Sequence, residues 1–200
     1  MATQSFVYVV DDDASVRKSL ERLLRTEGLE VKTFASARDF LLEEIPGPAC
    51  LLLDIEMPEI TGLELQKELT ARNQSLPIIF ITGFGNVPKS VQAMKAGAFD
   101  FLEKPFEAAA LIDTIHRAIN HDFQVRERNR DFSAMQQRMA SLTNREREVF
   151  ELVVTGMLNK QIAFQLGIAE KTIKVHRARV MQKVGAQSLA ELVRLAERLQ

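Results

Sequence analysis

The sequence has a single cysteine and no long apolar run, and both shortages narrow the classes of protein that it can encode. Cys50 has no second cysteine with which to form an internal disulfide, which suits a reducing cytosol and leads us to expect a cytoplasmic protein. The longest apolar runs, such as 50–53 and 78–81, have the length of strands. We therefore expect no membrane span, and we recognise no signal peptide.

An excess of one charge sign is also missing from the chain as a whole, although not from its parts. The 26 basic and 27 acidic side chains nearly cancel. Residues 1–121 carry 12 basic against 18 acidic side chains, whereas residues 141–200 carry 10 against 6. The acidic part suits a cation-binding site, and the basic part suits a polyanion.

Five apolar strand patterns alternate with amphipathic helical patterns through residues 1–121. This alternation predicts an α/β domain with a doubly wound, five-stranded parallel sheet and helices on both faces. The predicted strands are 6–10, 29–34, 50–53, 77–81 and 99–102, and the predicted helices are 14–26, 37–43, 62–71, 87–96 and 107–120. After residue 121 only helical spacing remains, which indicates a second, small all-α domain.

Residues 122–140 are polar and rich in arginine and glutamine, and we expect a helical linker there. Two interpretations remain open, a solvated helix and a short dimerising coiled coil. The apolar positions near heptad a and d places are Val125, Phe132, Met135, Met139 and Leu142. Thr143 and Glu146 then form a T-x-x-E capping box that opens the domain at 141–200.

The acidic side chains fall where predicted strands end. Asp11 and Asp12 follow the first strand, and Asp54 follows the third. If those strands are neighbours, the three carboxylates meet at one edge of the sheet, where they favour a hard divalent cation such as Mg²⁺ or Mn²⁺. Lys104 and Thr82 follow the fifth and fourth strands, so an ammonium and a hydroxyl reach the same edge and suit an incoming phosphoryl group.

Four motifs accompany the first, third, fourth and fifth predicted strands: VVDDD at 9–13, LLLDIEMP at 51–58, FITG at 80–83 and FLEKPF at 101–106. Through these motifs, residues 5–121 resemble the receiver domain of two-component response regulators. The resemblance implies a flavodoxin-like fold with strand order 2-1-3-4-5 and phosphorylation by a sensor histidine kinase.

By position, the resemblance makes Asp54 the phosphoacceptor. It makes Asp12 a direct metal ligand, Asp11 a ligand through water, and the backbone carbonyl of Glu56 the third protein ligand. Asp13 is expected instead to cap the first helix.

The resemblance also implies a switch next to the phosphoacceptor. Thr82 and Lys104 would contact phosphoryl oxygens, and Phe101 would fill the space that Thr82 leaves. The alternatives are a plain strand-end role for Thr82 and a core position for Phe101. Lys104-Pro105 matches the family's cis peptide.

Two positions depart from the receiver pattern. Glu56 stands where an arginine is frequent, and the turn at 83–86 reads G-F-G-N where G-H-G-D is frequent. We expect both changes to affect the lifetime of the phosphoryl group, with the Glu56 side chain altering metal affinity or water access.

Four helices are predicted in the second domain, 144–155, 160–166, 170–184 and 189–198, separated by turns that contain Gly156, Gly167 and Gly185. A short helix, a turn with glycine and a longer basic helix form a helix-turn-helix, whose second helix enters the major groove. The segment 142–193 resembles the LuxR-type DNA-binding domain of the NarL/FixJ family.

The third of these helices is predicted to face DNA. Lys174 and Val175 are expected to meet base edges, while Ala178 stands where the family has a further basic residue. His176 is expected to pack or to contact a phosphate. The remaining DNA-facing residues, mostly expected at phosphates, are Lys160, Lys171, Thr172, Arg177, Arg179 and Lys183.

The leading hypothesis is a DNA-binding transcriptional regulator whose phosphorylation promotes homodimer formation and binding to double-stranded promoter DNA, with RNA polymerase as a further partner. The alternative is a Mg²⁺-dependent aspartate-nucleophile phosphohydrolase, because Glu56 stands where its general acid/base would lie. A third hypothesis is a constitutive DNA binder that uses the first domain only to dimerise.

Overall fold

The computed structural model describes residues 5–83 and 87–198. Residues 84–86 of the turn discussed above lie outside this part. The chain divides into two compact units, 1–126 and 127–200. The first unit contains a five-stranded parallel sheet in the order β2-β1-β3-β4-β5, which confirms the predicted fold class and strand order. The strands are β1 (Phe6–Val10), β2 (Glu30–Phe34), β3 (Ala49–Asp54), β4 (Ile78–Thr82) and β5 (Asp100–Glu103).

The sheet buries both of its faces, as continuous apolar strands require. In β1, Tyr8 and Val10 pack into the cluster on one face, while Val7 and Val9 pack into the cluster on the other. The three inner strands are therefore buried almost throughout, whereas the edge strand β5 alternates between partly buried and exposed residues.

Within the described residues, five helices belong to or begin in the first unit. They are α1 (Ala14–Thr26), α2 (Ala37–Phe40), α3 (Gly62–Ala71), α4 (Val87–Lys95) and α5 (Ala108–Ala140). Asp13 caps α1 as predicted, because its carboxylate accepts hydrogen bonds from the backbone N–H groups of Ser15 and Val16. The helix predicted to end at residue 120 continues as α5 to Ala140, since no glycine or proline interrupts it.

The second unit contains four short helices, each within one residue of its predicted bounds. They are α6 (Asn144–Val154), α7 (Asn159–Leu166), α8 (Glu170–Val184) and α9 (Leu189–Glu197). The Thr143–Glu146 capping box is confirmed. None of the described helices is both long and apolar enough to cross a bilayer.

The core of the second unit lies between its helices and the end of α5. Its buried apolar side chains include Ile162 of α7, Val149 of α6 and Ile173 of α8. Met135, expected in the linker, and Leu142, which follows the linker, are buried in the same core. The last turns of α5 therefore contribute to the fold of the second unit.

Candidate functional site

The carboxyl ends of the strands bring the predicted acidic residues together. In the parallel register Val10 of β1 lies opposite Leu53 of β3, so the residues that follow them reach the same edge. Asp11, Asp12 and Asp54 line one cavity of about 250 Å³. The same cavity is lined by Asp13, Val16, Ile55, Glu56, Thr82, Gly83 and Lys104.

Lys104 is the cation of this cavity. Its ammonium nitrogen lies 3.0 Å from a carboxylate oxygen of Asp54 and 3.2 Å from one of Asp11. Burial raises the pKa of Asp54, although the hydrogen bond from Lys104 opposes the rise. Burial alone would lower the pKa of Lys104, but its contacts with the two carboxylates raise it. The positive charge of one ammonium is thus shared between two neighbouring carboxylates.

The groups around Lys104 are oxygen donors, the ligands that Mg²⁺ prefers. Asp12 is exposed, while the side chains of Asp11 and Asp54 are turned to Lys104. Within residues 5–83 and 87–198, no three aspartate, glutamate, histidine or cysteine side chains are close enough to hold a metal ion. The donor chemistry fits Mg²⁺, but the carboxylates do not form a closed cage.

Backbone groups also bind the carboxylates of Asp54 and Asp11. The N–H of Glu56 donates to Asp54 Oδ2 at 2.8 Å, and the N–H of Asp13 donates to Asp11 Oδ1 at 2.8 Å. Arg17, which the sequence did not single out, donates from Nη1 to the backbone carbonyl of Asp11 at 2.6 Å. Each carboxylate therefore has one oxygen bound by its own loop and one facing Lys104.

The side chain of Glu56 contacts α4. Its carboxylate lies 2.5 Å from the ammonium of Lys89, and both side chains are substantially exposed. Glu56 also lines the acidic cavity, while its carboxylate pairs with a lysine that the sequence pattern did not indicate.

Gly62 packs against the backbone at the end of β3. A Cβ at this position would lie 2.2 Å from the backbone carbonyl oxygen of Asp54, so only glycine fits without a shift of the main chain. Gly62 begins α3 behind a capping box formed by Thr61 and Glu64. The T-x-x-E spacing at 61–64 indicates the cap, but no sequence signal indicates the close approach.

Thr82 and Phe101 line a second, smaller groove of about 230 Å³ with Ser90, Val91 and Met94. Thr82 is buried and its hydroxyl donates to the carbonyl of Gly83 at 3.2 Å. Phe101 is 42% exposed, so the alternative of a core position is wrong for this residue. The groove adjoins the acidic cavity at Thr82, which lines both.

The second unit presents a helix-turn-helix formed by α7 and α8. Gly167 ends α7 in the left-handed conformation, with φ of 64°, which permits the turn. On α8, Ile173, Val180 and Val184 are buried. The opposite face exposes the predicted DNA-facing residues Lys171, Thr172, Lys174, Val175, Ala178 and Arg179.

Two predicted phosphate contacts of α8 have internal partners. Arg177 donates from Nη1 to the side-chain oxygen of Asn159 at 3.0 Å. Lys183 is bonded to Glu146 at 2.6 Å and to the backbone carbonyl of Ser141 at 3.1 Å. Lys160, at the start of α7, is exposed.

Comparison with known proteins covers both units. Residues 7–116 match the family described as "Response regulator receiver domain", and residues 140–196 match "Bacterial regulatory proteins, luxR family". The chain is 46% identical over 199 residues to Nodulation protein W of Bradyrhizobium diazoefficiens, covering 99% of this chain and 88% of that protein. It is 46% identical over 191 residues to the transcriptional regulatory protein FixJ of Azorhizobium caulinodans, covering 95% and 90%.

Solved structures of response regulators also match almost the whole chain. The structure of the response regulator StyR matches with a TM-score of 0.92 and 47% identity, covering 98% of this chain and 99% of the other. Full-length FixJ from B. japonicum matches with a TM-score of 0.61 and 43% identity, covering 99% and 98%.

Proposed function

Because the chain belongs to the response regulators that join a receiver domain to a LuxR-family DNA-binding domain, we propose that Asp54 accepts a phosphoryl group from a sensor histidine kinase and thereby controls binding to promoter DNA. The observation that carries this proposal is the ammonium of Lys104 bonded to both Asp54 and Asp11 at the sheet edge. A cation in this place stabilises the negative charge that an incoming phosphoryl group brings.

A Mg²⁺ ion would be held by the carboxylates of Asp12 and Asp54, the backbone carbonyl of Glu56 and, through water, Asp11, and when bound it supplies further positive charge. The protein's own part is positional. The N–H of Glu56 orients the Asp54 carboxylate, and Lys104 balances its charge. The receiver thus promotes its own phosphorylation and dephosphorylation without turning over a separate substrate.

Phosphorylation would act on the neighbouring groove through Thr82. Its hydroxyl is bonded to the carbonyl of Gly83, a partner that a phosphoryl oxygen can replace. Phe101, half-exposed in the groove, would then turn toward the vacated space. This two-state element would change the surface formed by α4 and β5 and promote dimerisation.

The exposed face of α8 supports DNA binding. Lys174 and Val175 would meet base edges, and Ala178 leaves space beside them. A dimer would place two copies of α8 in successive major grooves, roughly 34 Å apart, with RNA polymerase as a further partner. The residues that would contact phosphates are Lys160, Lys171, Thr172, Arg177 and Arg179.

The alternative of a phosphohydrolase has less support. Such an enzyme would need the carboxylate of Glu56 free to act as general acid/base, and this carboxylate pairs with Lys89. The family of DNA-binding regulators to which the chain belongs also favours a regulator.

The test is treatment of the full chain with acetyl phosphate and Mg²⁺. We expect the wild type to gain one phosphoryl group, a larger dimer fraction and tighter binding to a duplex selected from random sequences. Asp54→Asn should show none of the three, whereas the surface control Asp113→Asn should match the wild type. An Asp54→Asn protein that responds fully would overturn the proposal.

A further inference from the structure

Lys183 lies in the last turn of α8, and its ammonium donates hydrogen bonds to two other groups of the second unit. It bonds to the Glu146 carboxylate at 2.6 Å and to the Ser141 carbonyl at 3.1 Å. The side chain of Glu146 is only 4% exposed, so this carboxylate depends on its cation. A move of Lys183 toward a DNA phosphate would leave a buried carboxylate unpaired.

A second contact fixes the same end of α8. The guanidinium of Arg138, near the end of α5, lies 3.5 Å from the backbone carbonyl of Val184. The next residue, Gly185, has a φ of 79° and passes so close that an added Cβ would lie 3.0 Å from Arg138 Nη1. The C-terminal end of α8 is therefore held by the end of α5 and the start of α6.

We infer that Lys183 is a positioning residue, which holds α8 in place for DNA recognition through Glu146 and does not contact a DNA phosphate. The inference rests on the proposed DNA-binding function. Base contacts require the recognition helix at a fixed depth and angle in the groove, whereas phosphate contacts tolerate displacement. Leaving the Glu146 carboxylate unpaired should thus weaken specific binding more than nonspecific binding.

The test compares two duplexes, one selected by the phosphorylated wild type from a random pool and one of unselected sequence. In full-length Lys183→Met, we expect specific affinity to fall roughly tenfold, the size of one lost base contact. Affinity for the unselected duplex and the slope of log affinity against log salt should remain as in the wild type. The control Lys160→Met should lower the affinity for both duplexes by the same factor and reduce the salt slope by about 0.9.

A second variant keeps the inference testable if Lys183→Met folds poorly. Lys183→Met/Glu146→Gln replaces the ion pair with neutral groups and leaves no buried charge unpaired, so it should fold and recover much of the specific affinity with a wild-type salt slope. A slope reduced by about 0.9 in either variant would identify Lys183 as a phosphate contact and overturn the inference. Wild-type affinities for both duplexes in a folded Lys183→Met would also overturn it. Wild-type protein that selects no duplex would instead contradict the proposed function.

Discussion

Each unit contains a lysine bonded to an acidic side chain, and the pKa of that acid is shifted in opposite directions in the two units. In the first unit Lys104 is bonded to two carboxylates, those of Asp54 and Asp11, and burial raises the pKa of Asp54. In the second unit Lys183 is bonded to one carboxylate, that of Glu146. Its hydrogen bond and those from Thr143 lower the pKa of Glu146 to about 2, against the opposing effect of burial.

The difference lies in whether the cation is shared and in which effect on the pKa is largest, since burial is the largest effect on Asp54 and the hydrogen bond from Lys183 is the largest on Glu146. Asp54 shares its cation with a second acid and has one backbone donor, so its charge is incompletely compensated. Glu146 accepts from Lys183 and from the Thr143 N–H within one capping box. The first arrangement is suited to chemistry that brings further charge, and the second is suited to holding helices together.

The largest expected effect is on the rate of phosphorylation, which should depend on Lys104 and not on Lys183. In Lys104→Met the rate of phosphorylation by acetyl phosphate should fall about 100-fold, because a preorganised cation for the developing charge is lost. Lys183→Met should be phosphorylated at the wild-type rate, since its ammonium contacts only groups of the second unit. Incorporation is measured by intact-protein mass spectrometry at several times. Similar losses in both variants would remove the distinction between the clusters.

A smaller effect is expected at the glycine beside each cluster. In Gly62→Ala the new Cβ meets the Asp54 carbonyl, which is backbone and cannot move alone, so the first unit should lose about 3 kcal/mol of stability. In Gly185→Ala the nearest atom belongs to the flexible side chain of Arg138, and the cost should be about 1 kcal/mol from its positive φ. Urea unfolding followed by amide NMR signals of each unit measures both.

The control for these substitutions is Gly83→Ala, because a Cβ there would meet nothing within 4 Å. It should leave the unfolding midpoint of the first unit nearly unchanged. A Gly62→Ala protein as stable as this control would show that the backbone at Asp54 and Ile55 can shift at little cost in free energy.

The acidic site was largely predictable because it depends on strand ends. Apolar runs locate the strands, parallel order brings their carboxyl ends to one edge, and the acids and Lys104 stand directly after them. The four receiver motifs then assigned roles that spacing alone left open. The helices of the second unit were equally predictable from the sequence, since glycines mark the ends of several of them.

The contacts made by single polar side chains were not predictable. Lys183 looks like any exposed lysine of a basic helix, and only the packing of α8 on α6 shows that it meets Glu146. Asp122 was likewise assigned to a polar linker, yet it is buried and accepts from the backbone N–H of Ala49. Ser188 and Glu191 have the S-x-x-E spacing of a capping box, but the Ser188 hydroxyl accepts from the Glu191 N–H while the Glu191 carboxylate accepts from the Gln187 N–H, so only half of the box forms. Such partners depend on tertiary distances that no local pattern encodes.

The smallest effect is expected in acid, at Glu146. Its pKa is lowered to about 2 in the folded protein, so the folded state binds its proton less tightly than the unfolded chain does. The stabilisation is therefore complete above the ordinary pKa of 4.5 and is lost as the pH falls toward about 2. Because Lys183 is 36% exposed, solvent screens part of the attraction and keeps the effect modest.

Glu146→Gln should lower the urea midpoint of the second unit at neutral pH and flatten its decline between pH about 5 and about 3. Amide NMR signals of α6 and α8 report this midpoint, and Glu148→Gln, which removes an exposed carboxylate on the same helix, is the control. The control should keep the wild-type decline. If Glu146→Gln also kept it, Glu146 would behave as an ordinary surface acid, and the contrast with Asp54 would then rest on the first unit alone.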